Sequence, residues 1–304
     1  MPTESHPNVL YRELAVVQVK ELKPSPTTLL QEVVNFGTHA FVRCMSNTKG
    51  EENVHLAPFA LFRHILELTD GIEILISNAS PSTAVPLLRS SYEALLSLEY
   101  ILEDSEKYER RSLSWLVGHV RQKIRTYRSF IATVNEGKEF LKAIEEDKNV
   151  RDFPFPPKDQ ITDSIKNLEE LLSRDQFVEI INEINRCGRE NWYSLFGGPR
   201  KLKDLAYYMG RPAQHDFLYS QWSISVHAKD FSPFLFPARI GDVEIRGLRD
   251  ISTLPRVITF SVTFLIAATR LLINKFHPGE DWGNWYFREI REAYTHFAKH
   301  QATK

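Results

Sequence analysis

The chain has 304 residues, 42% of them hydrophobic and 25% charged, the composition of a globular protein long enough for one large or two modest domains. Its 38 basic and 39 acidic residues leave a formal net charge of -1, which excludes a global positive field for gathering nucleic acid but leaves room for a local basic patch. Two cysteines, Cys44 and Cys187, are too few and too isolated for a disulfide framework or a zinc site.

The N-terminus, MPTESHPNV, lacks the charged-then-apolar pattern of a secretory signal. Residues 1–26 are expected to form an N-terminal extension. Pro24 to Thr28 is a loop able to cap a helix, and TLLQEVVNFGTHAFVRCM then shows apolar residues at helical spacing. Pro58 is expected to open a second helix running to about Ser77. Asn78 to Ser82 is a turn, and Pro86 falls in the first turn of the next helix, where a missing N–H costs little. That helix carries Arg89 and Glu93 and ends near Glu103. Ser105 opens a long charged amphipathic helix with a charged extension to about Lys148. Its mixed signs read as a solvated face, one that could serve oligomerisation.

Three prolines in DFPFPPK, residues 152–158, break the pattern and form a connector. Short helices are expected around Ile161–Ser173 and Gln176–Arg186. Gly197, Gly198 and Pro199 turn the chain before KLKDLAYYM, and Gly210, Arg211 and Pro212 separate that segment from a helix ending at His227. IGDVEIRGL alternates around a turn glycine. The most apolar helix is expected from about Ser252 to Phe276. Its longest uncharged run, VITFSVTFLIAAT, is well short of the ~20 residues of a membrane span, so it reads as a core helix. The C-terminal segment, NWYFREIREAYTHFAKH, is amphipathic. The expected fold is therefore all-α, a multi-helix bundle with a small β-hairpin near residues 240–248. Residues 27–304 are expected to make one helical domain with a charged helical excursion near 105–150. Reduced, cytoplasmic residence without membrane contact is the default.

The chemistry-bearing residues fall on two helices. Tyr219, Ser223 and His227 recur at four-residue spacing, so a phenol, a hydroxyl and an imidazole share one helical face. Arg89 and Glu93 stand in the same relation within the oily run LLRSSYEALLSLEYIL. Arg before Glu is the poorer order for a pair inside one helix, so a partner on another helix, Tyr219 or His227, is expected. Chemically, Arg89 suits a phosphate, Glu93 can orient an imidazole, and His227 suits general acid–base work. Ser223 suits a hydrogen-bond relay. Structurally, the same residues suit a buried ion pair, a helix-terminal histidine and an amphipathic tyrosine.

Around the GGP turn, Arg200, Lys201, Lys203 and Arg211 interleave with Trp192, Tyr193, Tyr207 and Tyr208. Such a mixture can bind single-stranded nucleic acid through phosphates and stacking, or simply be a solvated loop beside core aromatics. GxxxxGK[ST], HExxH, GxSxG and paired CxxC motifs are all absent. His215, Asp216 and Asp281 invite a metal reading, but no second carboxylate-rich helix accompanies them; no metal and no cofactor is expected.

The runs LLRSSYEALLSLEYIL and NWYSLFGGPRKLKDLAYYM…HDFLYSQWSISVHAKDF resemble a bacterial helical family without assigned activity, domain-of-unknown-function family 5677. Arg89, Glu93, Trp192, Leu205, Ala206, Tyr219, Ser223 and His227 match its pattern, and the likeness covers roughly Leu56 to Phe231. The resemblance implies an all-α fold and a distant likeness to the HEPN-like proteins of prokaryotic defence and toxin systems. HEPN ribonucleases place four to six residues between an Arg and a His. Here Arg211 and His215 have three between them, and His227 has no such Arg, so Arg89 must serve from another helix.

Two functions follow as expectations. One is a metal-independent ribonuclease of a defence or toxin system. In it His227 is the acid or base, Arg89 stabilises phosphate, and Glu93, Ser223 and Tyr219 orient the cluster. RNA, a partner protein of the same system and a second copy of the chain would be its partners. The other is a non-enzymatic helical interaction or scaffold protein, in which the same residues form a structural polar network.

Overall fold

Helix α1 (Arg12–Glu21) buries Ala15 and Val19, and helix α2 (Pro26–Asn47) starts on a proline that has no helical amide bond to lose. Ser25 caps α2, its Oγ accepting from the Thr28 N–H at 3.2 Å. These features come from a computed structural model that describes residues 10–48, 52–131, 133–147, 150, 157–188, 191–227, 235–239, 242–245 and 248–300. Its description of side chains excludes 52, 158, 224–227 and the two strands. The Pro-rich connector, residues 152–158, falls almost wholly outside the described residues.

The fold is all-α in class, and the chain packs as two compact units, one of Met1–Glu103 with Ala206–Lys304, the other of Asp104–Leu205. In the first unit α3 (Glu52–Ser77) begins six residues before the expected start and carries Pro58 inside it. Proline normally breaks a helix interior. Here burial of Val54, Ala57, Phe59 and Phe62 around it outweighs the lost bond. A 3-10 turn, Pro81–Ala84, leads into α4 (Val85–Leu102), with Pro86 in its first turn as expected.

The core of this unit is α2, α3, α4 and α11 (Leu254–Phe276), with α3 and α11 packed on each other and on both α2 and α4. Gly37 permits part of this closeness, since a Cβ there would lie 2.8 Å from Leu66 Cδ2. Helix α11 is long and apolar enough to cross a bilayer, yet 61% of its most apolar window is buried within the protein. It serves as a core helix, with Leu265, Ala268 and Leu272 fully buried. Helix α10 (Ser220–His227) rests on α4, and α12 (Trp282–Trp285) and α13 (Arg291–His300) flank a π-helical turn, Tyr286–Ile290. An aromatic cluster joins these layers. Tyr92, Trp222, Phe260 and Phe264 have ring centroids 5.5–6.4 Å apart where they meet.

The segment expected as a hairpin, 240–248, does not itself form one. The strands among the described residues are β1 (Leu235–Arg239) and β2 (Asp242–Ile245), paired antiparallel in a short ribbon. Of the alternating run, 240, 241, 246 and 247 lie outside the described residues, and residues 242–245 are strand. Their partner is the upstream LFPAR, whose Pro237 lacks the amide donor that would mark it as a strand.

The second unit is built on α5 (Tyr108–Arg128). Val120 and Ile124 pack against Ile161 and Ile165 of α7 (Lys158–Leu172), with Leu116, Phe130 and Leu168 around them. The charged excursion expected near residues 105–150 holds α5 and then a separate helix, α6 (Asn135–Glu146). The chain turns after Arg128 because Phe130 and Ile131 gain more by joining the α5–α7 apolar cluster than by continuing the helix. Helix α8 (Val178–Cys187) and a 3-10 segment, Trp192–Gly197, close the unit. Buried Glu183 accepts from the Phe196 N–H at 3.0 Å and binds Arg186. Helix α9 (Leu202–Tyr208) contains the junction between the units.

Phe264 is fully buried at the centre of the aromatic cluster. Phe264→Ala is expected to lower the free energy of unfolding by about 3–5 kcal/mol in a urea titration.

Candidate functional site

The polar cluster of the first unit forms where α4 meets the chain after α9. Gly210, at φ +69°, ends α9 in a left-handed turn, and the Arg211 N–H returns to the Ala206 carbonyl at 2.8 Å. Gln214–Tyr219 is then a π-helical turn rather than part of a regular helix, and α10 continues from Ser220. Wide turns of this kind recur at functional sites because they re-aim side chains within a helix.

Arg89, Glu93 and Tyr219 meet there. Arg89 Nε donates to Glu93 Oε1 at 3.1 Å, Arg89 Nη2 donates to the Tyr219 hydroxyl at 2.8 Å, and that hydroxyl donates to Glu93 Oε1 at 2.9 Å. The guanidinium carbon also lies 4.8 Å from the Tyr219 ring centroid. So Arg89 and Glu93 do pair within one helix, despite the unfavourable order, and Tyr219 supplies the second helix. The side chain of Arg89 is 20% exposed and that of Glu93 42%, which places the triangle at the edge of the core. Burial works against the charge of Arg89, but the bonds to Tyr219 and Glu93 outweigh it and its pKa rises. Burial, with the Glu93 carboxylate, also raises the Tyr219 phenol above its ordinary 10.0.

Ser223 does not join the triangle. Its Oγ donates to the Tyr219 carbonyl, four residues back, at 2.8 Å, the usual local bond of a helical serine. His227 is the last residue of α10, and its side chain lies outside those described.

The π-helical turn brings in three residues that the sequence reading did not assemble. His215 stacks on Tyr219, with centroids 5.2 Å apart and planes within 22°. Its Nδ1 donates to Asp216 Oδ1 at 2.9 Å, and Asp216 Oδ2 accepts from the Tyr207 hydroxyl. Bound to a carboxylate through Nδ1, a neutral imidazole carries its free lone pair on Nε2. The His215 side chain is 12% exposed. The available signal was the His-Asp doublet with a tyrosine nine residues earlier. It pointed to no particular partner, because the pairing depends on the π-helical turn.

The residues expected to contact nucleic acid divide between the units. Arg211 belongs to the first, where its guanidinium binds both oxygens of Glu99, with Nε donating at 2.6 Å, and Nη1 donates to Gln214 at 2.7 Å. Beside it lies an open cleft lined by Glu99, Glu103, Gln214 and Leu271, whose carboxylates offset the arginine. Arg200, Lys201 and Lys203 belong to the second unit and are exposed. There the Lys201 N–H donates to Asp204 Oδ2 at 3.1 Å, and the Arg200 carbonyl accepts from Asn191 Nδ2 at 3.1 Å. Among the described residues, no three of His, Cys, Asp and Glu gather as a metal site.

A family model described as a family of unknown function, DUF5677, matches residues 55–236, more than half of the chain. The match takes in α4, the π-helical turn and α10, and so every member of the cluster. No curated protein and no solved structure matches the chain.

Tyr219→Phe removes two of the triangle's bonds and should cost about 1–3 kcal/mol of stability, read from urea unfolding at neutral pH. Raised phenol pKa values also set the alkaline behaviour. The folded state holds these protons more tightly than the unfolded state, so the contribution of Tyr219 and fully buried Tyr92 is complete below pH 10. It is lost as the pH rises further. Tyr92→Phe and Tyr219→Phe should each make the decline of stability above pH 10 shallower.

Proposed function

We propose a function from the side chains themselves, because the chain belongs to a family of unknown function, DUF5677. The cluster is an acid–base site, and its reaction is metal-independent cleavage of RNA by a HEPN-like protein of a prokaryotic defence or toxin system. The observation that carries this reading is the Tyr207–Asp216–His215 chain, stacked on the tyrosine that binds Arg89. Asp216 holds Nδ1 as the protonated nitrogen, leaving the Nε2 lone pair to accept a proton.

In this reading His215 Nε2 takes the proton of a ribose 2′-hydroxyl, and the freed oxygen attacks the adjacent phosphorus. The bond to the 5′-oxygen breaks, and that oxygen takes up a proton from His227, the histidine of the family pattern. The products are a 2′,3′-cyclic phosphate and a 5′-hydroxyl. The Arg89 charge offsets the extra negative charge of the pentacovalent state, while Glu93 and Tyr219 keep the guanidinium in place. In the second unit, exposed Arg200, Lys201 and Lys203 are basic residues that suit RNA phosphates. Cytoplasmic residence, self-association and a partner protein of the same system belong to the same reading.

The alternative is a non-enzymatic helical interaction or scaffold protein. It has its own support, since Arg89, Glu93 and Tyr219 satisfy one another in a closed triangle, as a register-fixing network would.

The two readings separate on purified protein, a mixed RNA pool and a chelator. The enzyme should cut RNA under these conditions. His215→Ala and His227→Ala should each lower the rate by about 10²-fold or more while keeping the wild-type melting temperature. Intact RNA with the wild type, together with a loss of about 1–3 kcal/mol of stability in Arg89→Ala, would leave the scaffold reading in possession.

A further inference from the structure

The second unit has a cavity of its own, of about 440 Å³, within the size range of small-molecule sites. One wall is a single face of α5, on which Ser114, Gly118, Arg121, Gln122 and Arg125 recur at helical spacing. The facing wall comes from α8 and the 3-10 segment, with Asn185, Asn191 and Trp192.

Three observations point to a ligand. First, the Ser114 hydroxyl is buried at the cavity, in a residue 2% exposed, with no hydrogen-bond partner. A buried hydroxyl without a partner is costly, and a bound group would supply the missing bond. Second, two guanidiniums stand one turn apart on α5, and Arg121 has no carboxylate partner among the described residues. Third, none of the described lining residues is acidic, whereas Gln122 and Asn185 offer carboxamides and Asn191, whose Nδ2 donates to the Arg200 carbonyl, offers its Oδ1. This is the opposite balance to the cleft beside Arg211, where Glu99 and Glu103 line the wall.

We propose that this cavity binds a small phosphate-bearing ligand of mononucleotide size. Arg121 and Arg125 take the phosphate, as the planar donor fork of a guanidinium matches a pair of phosphate oxygens. The carboxamides of Gln122, Asn185 and Asn191 meet the polar edges of the remainder, and Ser114 completes its hydrogen bonding on the ligand. The inference does not depend on RNA cleavage. It concerns Asp104–Leu205 alone and is read by binding rather than turnover.

Titration calorimetry of the full chain at low salt, with AMP and with inorganic phosphate as separate probes, tests it. AMP should bind, and Arg121→Gln should weaken it by about tenfold or more, the loss of one charge-assisted contact. Ser114→Ala should weaken binding several-fold while leaving the melting temperature unchanged or higher, because that hydroxyl gives up no partner in the free protein. A purely structural serine would not separate the two readouts in this way. Binding of inorganic phosphate as tightly as AMP would identify free phosphate as the ligand and still support the site. Absence of heat with both probes up to millimolar concentrations would overturn the proposal, as would unchanged affinity in Arg121→Gln.

Discussion

An arginine side chain four-fifths withdrawn from water needs acceptors for its guanidinium, and that requirement at Arg89 organises the site of the first unit. Glu93, one turn further on the same helix, supplies the charge. Alone it would give a weak pair in the poorer order along the helix. Tyr219 makes the difference by accepting from the arginine and donating to the glutamate, so one phenol closes both bonds. For Tyr219 to reach that position, α10 must lie on α4 and the chain before it must widen into a π-helical turn.

The aromatic core fixes that position. Tyr92 of α4, Trp222 of α10 and Phe264 of α11 contact one another beneath the triangle, and Tyr92 also meets the Tyr219 ring at 5.9 Å. Packing of three helices therefore decides the distance between one phenol and one guanidinium. The same turn sets His215 on Tyr219 and Asp216 toward Tyr207. The charged triangle and the imidazole relay are thus two outcomes of one backbone irregularity, joined through the Tyr219 ring.

Much of the architecture was legible because its signals are local. Pro86 in a first turn, the apolar period of α2 and α4, and the oily run of α11 each act within a few residues. The departures arise where distant burial prevails. Pro58 is carried inside α3 by buried neighbours, and the charged excursion divides into two helices where Phe130 and Ile131 join a cluster formed with α7. The short ribbon draws one strand from LFPAR, whose proline hides it from an alternation count.

The site divides along the same line. By itself, the sequence determined that Arg89 and Glu93 share a helical face and that Tyr219 starts a polar stripe, because side-chain direction follows from helical period. It also pointed to Tyr219 or His227 as a partner for Arg89, on the argument that the order within the helix was poor. Only the tertiary structure decided that Ser223 turns back to its own helix, that Arg211 is bound by Glu99, and that His215 belongs with Asp216, Tyr207 and Tyr219. Those pairings depend on a π-helical turn and on helix packing, which are set by contacts between residues far apart in the chain, such as Arg89 with Tyr219 and Tyr92 with Phe264.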